Sequence, residues 1–230
     1  MIEVVLFDFN GVIIDDEPLH LKAYQKALSA ESVSLSEKDY YDSLGMDDVT
    51  FVRAAYERNQ NVLDDASLER VLAGKTEAYR ELISDELPIF PGAVNLIKMC
   101  RHHFALGIVS MARRAEIENV LERLDVLDAF STIVSAEDVS HCKPNPECYN
   151  LAFHKIDLLH TNAKKFPLTR EQTLVIEDSP PGVRAAKAAG MHVLGVANTV
   201  EPEQLRRAGA DSVTRNLSDW IPETIELVFR

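Results

Sequence analysis

Asp8 stands directly behind a short apolar run, Val4-Val5-Leu6-Phe7, and just ahead of the pair Asn10-Gly11. A carboxylate at the end of a buried strand is desolvated on one side and open on the other, which suits a nucleophile or a metal ligand. Asn10 is the anomaly, because it puts an amide where a second carboxylate would be most useful. Further along, Ser110 follows Ile108-Val109, Lys143-Pro144-Asn145-Pro146 comes after the run Thr132–Val134, and Glu177-Asp178-Ser179 follows Leu174-Val175-Ile176. Crowded acids repel unless a cation sits among them, and an all-oxygen set favours Mg²⁺ over zinc. A lysine and a hydroxyl beside that cation form a cradle for an anion, with phosphate the natural candidate. In-line attack by Asp8 on such a group would give an aspartyl-phosphate, discharged by water or a second substrate.

These residues need elements that bring them together. Short apolar, β-branched runs recur at Val4–Phe7, Ala105–Val109, Thr132–Val134, 173–176 and His192–Val196, with a weaker one at 211–213. Each is apolar on both faces, as parallel strands buried under helices are. Helical spacing fills 92–102, 114–124 and 182–189 between them. Strand–helix alternation predicts a doubly wound parallel α/β sheet, a Rossmann-like core that binds ligands at the carboxyl ends of its strands. Residues 15–85 break the rhythm. The stretches 19–29, 37–44, 47–59 and 66–84 all carry helical spacing with no good strand among them. The predicted organisation is therefore a core of residues 1–14 and 86–230 with an inserted all-helical cap, 15–85. Its hinges fall near 14–17 and 84–88. Residues 155–168 are read as a surface insertion.

Composition narrows the function classes. The chain has 230 residues, 46% of them hydrophobic, which allows a sizeable core. A net charge of −13 argues against general affinity for nucleic-acid backbones or anionic membranes. Cys100, Cys142 and Cys148 form no zinc-like spacing and read as reduced thiols of a cytoplasmic protein. The first apolar run ends at Asp8, too soon for a signal peptide. The partner expected is a small phosphorylated metabolite, the chain itself working as a monomer or weak dimer.

The four motifs resemble those of the haloacid dehalogenase superfamily. The helical insert resembles the C1-type cap of its β-phosphoglucomutase and phosphoglycolate phosphatase branch. Asp8-Phe9-Asn10-Gly11-Val12 is similar to the first motif, Ser110 to the second, Lys143-Pro144 to the third and Glu177-Asp178-Ser179 to the fourth. The run from Gly182 to Met191 is also typical of the branch. The likeness covers essentially the whole chain except 155–168. It implies that Asp8 is nucleophile and Mg²⁺ ligand, that Asn10 lends the metal its main-chain carbonyl, and that Glu177 and Asp178 bind Mg²⁺ directly or through water. Ser110, the Met111 amide and Lys143 would hold the phosphoryl oxygens. Asp15, Glu17, His20 and the loop Leu44-Gly45-Met46 would meet the substrate from the cap, which sets specificity.

Two departures matter. Position 10 is usually aspartate in the family's phosphatases and mutases, where it protonates the leaving oxygen and later takes a proton from water. An amide does neither, and loss of a general acid–base costs about 10²–10⁴-fold in rate. Asn10 is then an engineered trap, a natural attenuation, or a variant with another acid such as Asp15 or His20. Secondly, Asp47-Asp48 follow Gly45-Met46 where the branch's mutases usually carry an arginine for a distal phosphate. The expected activity is Mg²⁺-dependent hydrolysis of a small phosphate monoester, such as a sugar phosphate or phosphoglycolate. A sugar phosphomutase and a silent phosphometabolite-binding protein are the alternatives.

Overall fold

The computed structural model describes residues 1–84 and 86–230. It divides the chain into two compact units, residues 1–14 with 89–230 and residues 15–88. The cap boundary expected at residue 85 lies outside the described residues.

The unit of residues 15–88 is helical among its described residues: α1 (Glu17–Ala30), α2 (Glu37–Tyr41), α3 (Asp48–Arg58) and α4 (Asp65–Leu82). Three of the four start on a side-chain cap. Ser36, Asp47 and Asp64 accept the backbone N–H of Asp39, Thr50 and Ser67, satisfying donors that a helix start leaves orphaned. The helix expected over 37–44 stops at Tyr41. Ser43 turns its hydroxyl back onto the Asp39 carbonyl, a local bond that competes with helix continuation. Tyr24, Leu28, Tyr40, Phe51, Val52 and Val71 form this unit's apolar centre.

The other unit is a six-stranded, all-parallel sheet: β1 (Val4–Phe7), β2 (Ala105–Val109), β3 (Thr132–Val134), β4 (Thr173–Glu177), β5 (His192–Val196) and β6 (Ser212–Thr214). Their order is β3-β2-β1-β4-β5-β6. All four residues of β1 are fully buried, as expected of a central strand covered on both faces. The helices of this unit are α5 (Ala93–Cys100), α6 (Arg114–Arg123), α7 (Glu147–Asn162), α8 (Pro180–Ala188), α9 (Pro202–Ala208) and α10 (Pro222–Val228). Proline opens the last three, where its missing N–H costs nothing.

The segment 155–168 is less of an insertion than its charges suggest. Its first half completes α7, which buries Cys148, Tyr149, Ala152, Phe153 and Ile156 on one face. Only 163–168 is loop, with Phe166 left 90% exposed.

The strand order reverses at β1, which lies between β2 and β4. Such a switch point opens a crevice at the strands' carboxyl ends. Phe7 is level with Ile108 on one side and Ile176 on the other. The next rung therefore carries Asp8, Val109 and Glu177 abreast, and the Asp8 N–H donates to the Ile176 carbonyl at 3.0 Å.

Candidate active site

Asp8 is 8% exposed. Its Oδ1 accepts the Phe9 N–H at 2.8 Å, and its Oδ2 lies 2.9 Å from Lys143 Nζ. The same ammonium donates to Glu177 Oε1 at 2.6 Å and to the Val109 carbonyl at 3.2 Å. All three of its protons are thereby engaged. Burial works against charge on Lys143, but the carboxylates of Asp8 and Glu177 outweigh it and hold the ammonium above its ordinary range.

Glu177 is fully buried. Its Oε1 also accepts the Tyr149 hydroxyl at 2.9 Å, and its Oε2 accepts both the N–H and the hydroxyl of Ser179 at 3.0 Å. A carboxylate offers about four lone-pair positions, so protein donors saturate this one. A cation reaching Glu177 would have to displace one of them. Burial raises the Glu177 carboxyl, but Lys143 outweighs it and leaves the group below its usual range. Asp8 goes the other way: burial dominates, Lys143 opposes it and Glu177 reinforces it, so its carboxyl lies well above the usual range.

Asp178 completes the acidic set. One oxygen from each of Asp8, Glu177 and Asp178 lies within 4.8 Å of the others. One ammonium does not neutralise three carboxylates, and hard oxygens at this spacing fit Mg²⁺. The turn behind Asp8 is shaped for the contact. Gly11 has φ +74°, and a Cβ there would lie 1.9 Å from Asp178 Oδ2, so only glycine fits. Gly182 is constrained likewise, its virtual Cβ falling 1.6 Å from Glu177 Oε1. Ser110 Oγ donates to Asn10 Oδ1 at 3.4 Å and accepts the Ala112 N–H at 3.1 Å.

The fold thus brings together Asp8, Asn10, Ser110, Lys143, Glu177 and Asp178, with Met111 next along the chain. His20 and Gly45 belong to the helical unit. His20 is 6% exposed, stacks on Tyr79 with ring centroids 4.1 Å apart, and sets Nε2 3.2 Å from Asp16 Oδ2. Gly45 takes φ +89° in the turn before α3. Of the other acids expected near substrate, Glu17 accepts the Tyr40 hydroxyl. Arg114 bonds Asp138 at 2.6 Å and the Ile133 carbonyl at 3.0 Å.

Sequence reasoning missed Tyr149, Asn198 and Thr199. Lys143 Nζ stands 5.2 Å from the Tyr149 ring centre, and a tyrosine six places after the motif lysine was the available signal. Cys148, beside it, is pushed up to about 11 by burial, so its thiol stays protonated and unreactive near neutrality.

Comparisons with known proteins bear on the chain as a whole. The fructose-1-phosphate phosphatase YqaB of Escherichia coli K12 is 29% identical over 192 residues, 84% of this chain and 95% of that one. A crystal structure of β-phosphoglucomutase from Clostridium difficile matches with TM-score 0.86 over 100% of this chain and 97% of that one, at 23% identity. An Asp-to-Asn mutant of CbbY from Rhodobacter sphaeroides, crystallised with xylulose-1,5-bisphosphate, matches with TM-score 0.80 over 95% and 96% at 25% identity. The model of the haloacid dehalogenase-like hydrolases matches residues 5–196, from β1 through β5 and across every motif-bearing strand end, and the chain belongs to that family.

Proposed function

We propose that the chain is a Mg²⁺-dependent phosphatase acting on a small phosphorylated sugar or similar metabolite through an aspartyl-phosphate on Asp8, slowed by Asn10. The observation that carries this reading is the buried strand-end cluster, in which Lys143 bridges Asp8 and Glu177 while Asp178 adds further negative charge. The phosphatase relative at 29% identity supports the reaction class. The CbbY mutant with its bound bisphosphate supports the idea that Asp-to-Asn exchange leaves a protein of this fold able to hold a sugar phosphate.

Asp8, Asp178 and the Asn10 main-chain carbonyl would hold Mg²⁺, with Glu177 joining by exchange of a donor. The ion would supply charge neutralisation for the phosphoryl oxygens. Lys143, by giving up one of its three present acceptors, and Ser110 would bind the phosphoryl group beside Asp8. The Asp8 oxygen bonds to phosphorus as the bond to the leaving oxygen breaks, and that oxygen departs with the electron pair. An alkoxide needs a proton at this point, and the Asn10 amide has none to give. Water that later attacks the aspartyl-phosphate finds no base at Asn10 either.

Leaving groups test this. Acyl or aryl phosphates, whose departing oxygen needs no proton, should give a first-turnover burst followed by slow phosphate release. Alkyl phosphates should show almost no burst. Asn10→Asp should raise alkyl-phosphate turnover about 10²–10⁴-fold. Equal first-turnover bursts with both classes, or binding without turnover even in Asn10→Asp, would overturn the reading, and the second outcome would favour a silent binding protein.

The phosphomutase alternative gains from one observation. Asp47 caps α3 and Asp48 pairs with Lys75 at 3.2 Å, so the two acids are less repulsive to a second phosphate than their charges alone suggest. Sugar-phosphate isomer interconversion with a bisphosphate activator, assayed beside phosphate release, separates the two.

A further inference from the structure

We infer that Asn198 and Thr199, in the turn behind β5, are positioning residues that lock Asp178 and the Asn10-Gly11 turn together and so set the site's affinity for a divalent cation. The role presupposes that the strand-end acids hold a metal.

Strand order places β1, β4 and β5 side by side. A turn leaving β5 must reach past β4 to touch the segment behind β1, and this one does. Thr199 Oγ1 donates to Asp178 Oδ2. Asn198 Nδ2 donates to the Gly11 carbonyl at 2.7 Å, across 187 residues of sequence. The turn is itself anchored, since the Ala197 N–H bonds the Thr214 carbonyl at 2.8 Å and the Asn198 N–H bonds the Val196 carbonyl at 2.9 Å. A Cβ on Gly11 would also fall 2.8 Å from Thr199 Oγ1, so Gly11, Asp178 and Thr199 are in contact.

The chemistry follows from which groups these are. Neither side chain ionises, so neither supplies charge or a proton. The Thr199 hydroxyl occupies one Asp178 oxygen and thereby fixes the plane of the carboxylate. The Asn198 amide holds the peptide immediately after the one whose carbonyl, that of Asn10, faces the site in the metal reading. Hydrogen-bond partners that orient metal-ligating carboxylates are worth about 10–100-fold in metal affinity.

Calorimetric Mg²⁺ titrations, repeated with Mn²⁺ by electron paramagnetic resonance, test this on the full chain and on Thr199→Val, Thr199→Ser and Asn198→Ala. Thermal midpoints in EDTA run alongside. Thr199→Val keeps the shape and removes the donor, and should weaken Mg²⁺ binding about 10–100-fold. Thr199→Ser should restore binding close to that of the unaltered chain, and Asn198→Ala should weaken it less than Thr199→Val. Midpoints in EDTA should barely move. Unchanged Mg²⁺ affinity in Thr199→Val would overturn the inference. So would weakened binding that merely tracks a fall in the metal-free midpoint, which is the mark of a structural role. If the unaltered chain binds neither ion, the metal reading itself fails and the role falls with it, an outcome distinct from loss confined to the variants.

Discussion

Lys143 and Lys75 are both buried lysines, 5% and 1% exposed, one in each unit, and their surroundings differ in kind. Lys143 meets two carboxylates and a carbonyl within a set of three acids. Lys75 meets the carboxylate of Asp48, at 3.2 and 3.3 Å, and stands 5.4 and 5.5 Å from the ring centres of Tyr24 and Tyr79. Phenol donors serve the neighbouring acids: Tyr24 donates to Asp48, Tyr79 to Asp16 and Tyr40 to Glu17. Burial raises the Asp48 carboxyl, but Lys75 and Tyr24 outweigh it and leave the group below its usual range. Among the strand-end acids Glu177 is held below its range in the same way, whereas at Asp8 burial prevails and the carboxyl stays high, as it does at Glu17 in the helical unit. The helical unit matches each buried acid with a donor of its own. The sheet unit instead gathers three acids around one ammonium, a grouping that suits the cation and the anion of the proposed reaction.

The comparison breaks most visibly at Asp8. Asp8→Asn should cut first-turnover phosphoryl transfer by at least about 10⁴-fold in quenched-flow assays, while removing a repulsive charge and so leaving the metal-free midpoint no lower. Surviving turnover would remove Asp8 as nucleophile. In the helical unit the effect should fall on stability instead. Lys75→Met removes the ammonium paired with the part-buried Asp48 and should cost about 3–5 kcal/mol in urea unfolding. Mg²⁺ affinity of the folded variant should be unchanged, and an altered affinity would show that Lys75 serves the site as well.

The smallest effect asks whether donor matching or location decides. Asp138 belongs to the sheet unit, yet it is closed like an acid of the helical one. It accepts the N–H and hydroxyl of Ser135 at 2.9 and 2.8 Å, Arg114 at 2.6 Å and Lys155 at 3.4 Å. Burial pushes its carboxyl up, but these partners, Ser135 first, hold it down at about 2. A depressed folded-state value means stability that is present above the unfolded value of 3.8 and lost as pH falls towards about 2. Asp138→Asn should therefore cost about 1–2 kcal/mol near neutrality. Chemical unfolding should show the gap closing through that acid window, and a constant gap would rule the account out.

Much of this was legible before any coordinates. Parallel strands buried on both faces must be continuous apolar runs, so β1, β2, β4 and β5 announce themselves, and polar residues that stop them make up the candidate site. Helices α9 and α10 are seven residues each, too short to print a clear period. The buried face of α7 was masked by the charges of its exposed one.

The sequence alone determined which groups can do chemistry here, that they sit at strand ends, and that position 10 lacks an acid. It did so because those facts depend on residue type and on local apolar periodicity. Tertiary structure alone decided which of the groups are already satisfied. Glu177 is saturated by Lys143, Tyr149 and Ser179, Asp178 is gripped by Thr199, and Asp48 is closed by Lys75 and Tyr24. Most of these partners lie tens of residues away along the chain, and a hydrogen bond forms only where packing brings a donor within about 3 Å of its acceptor.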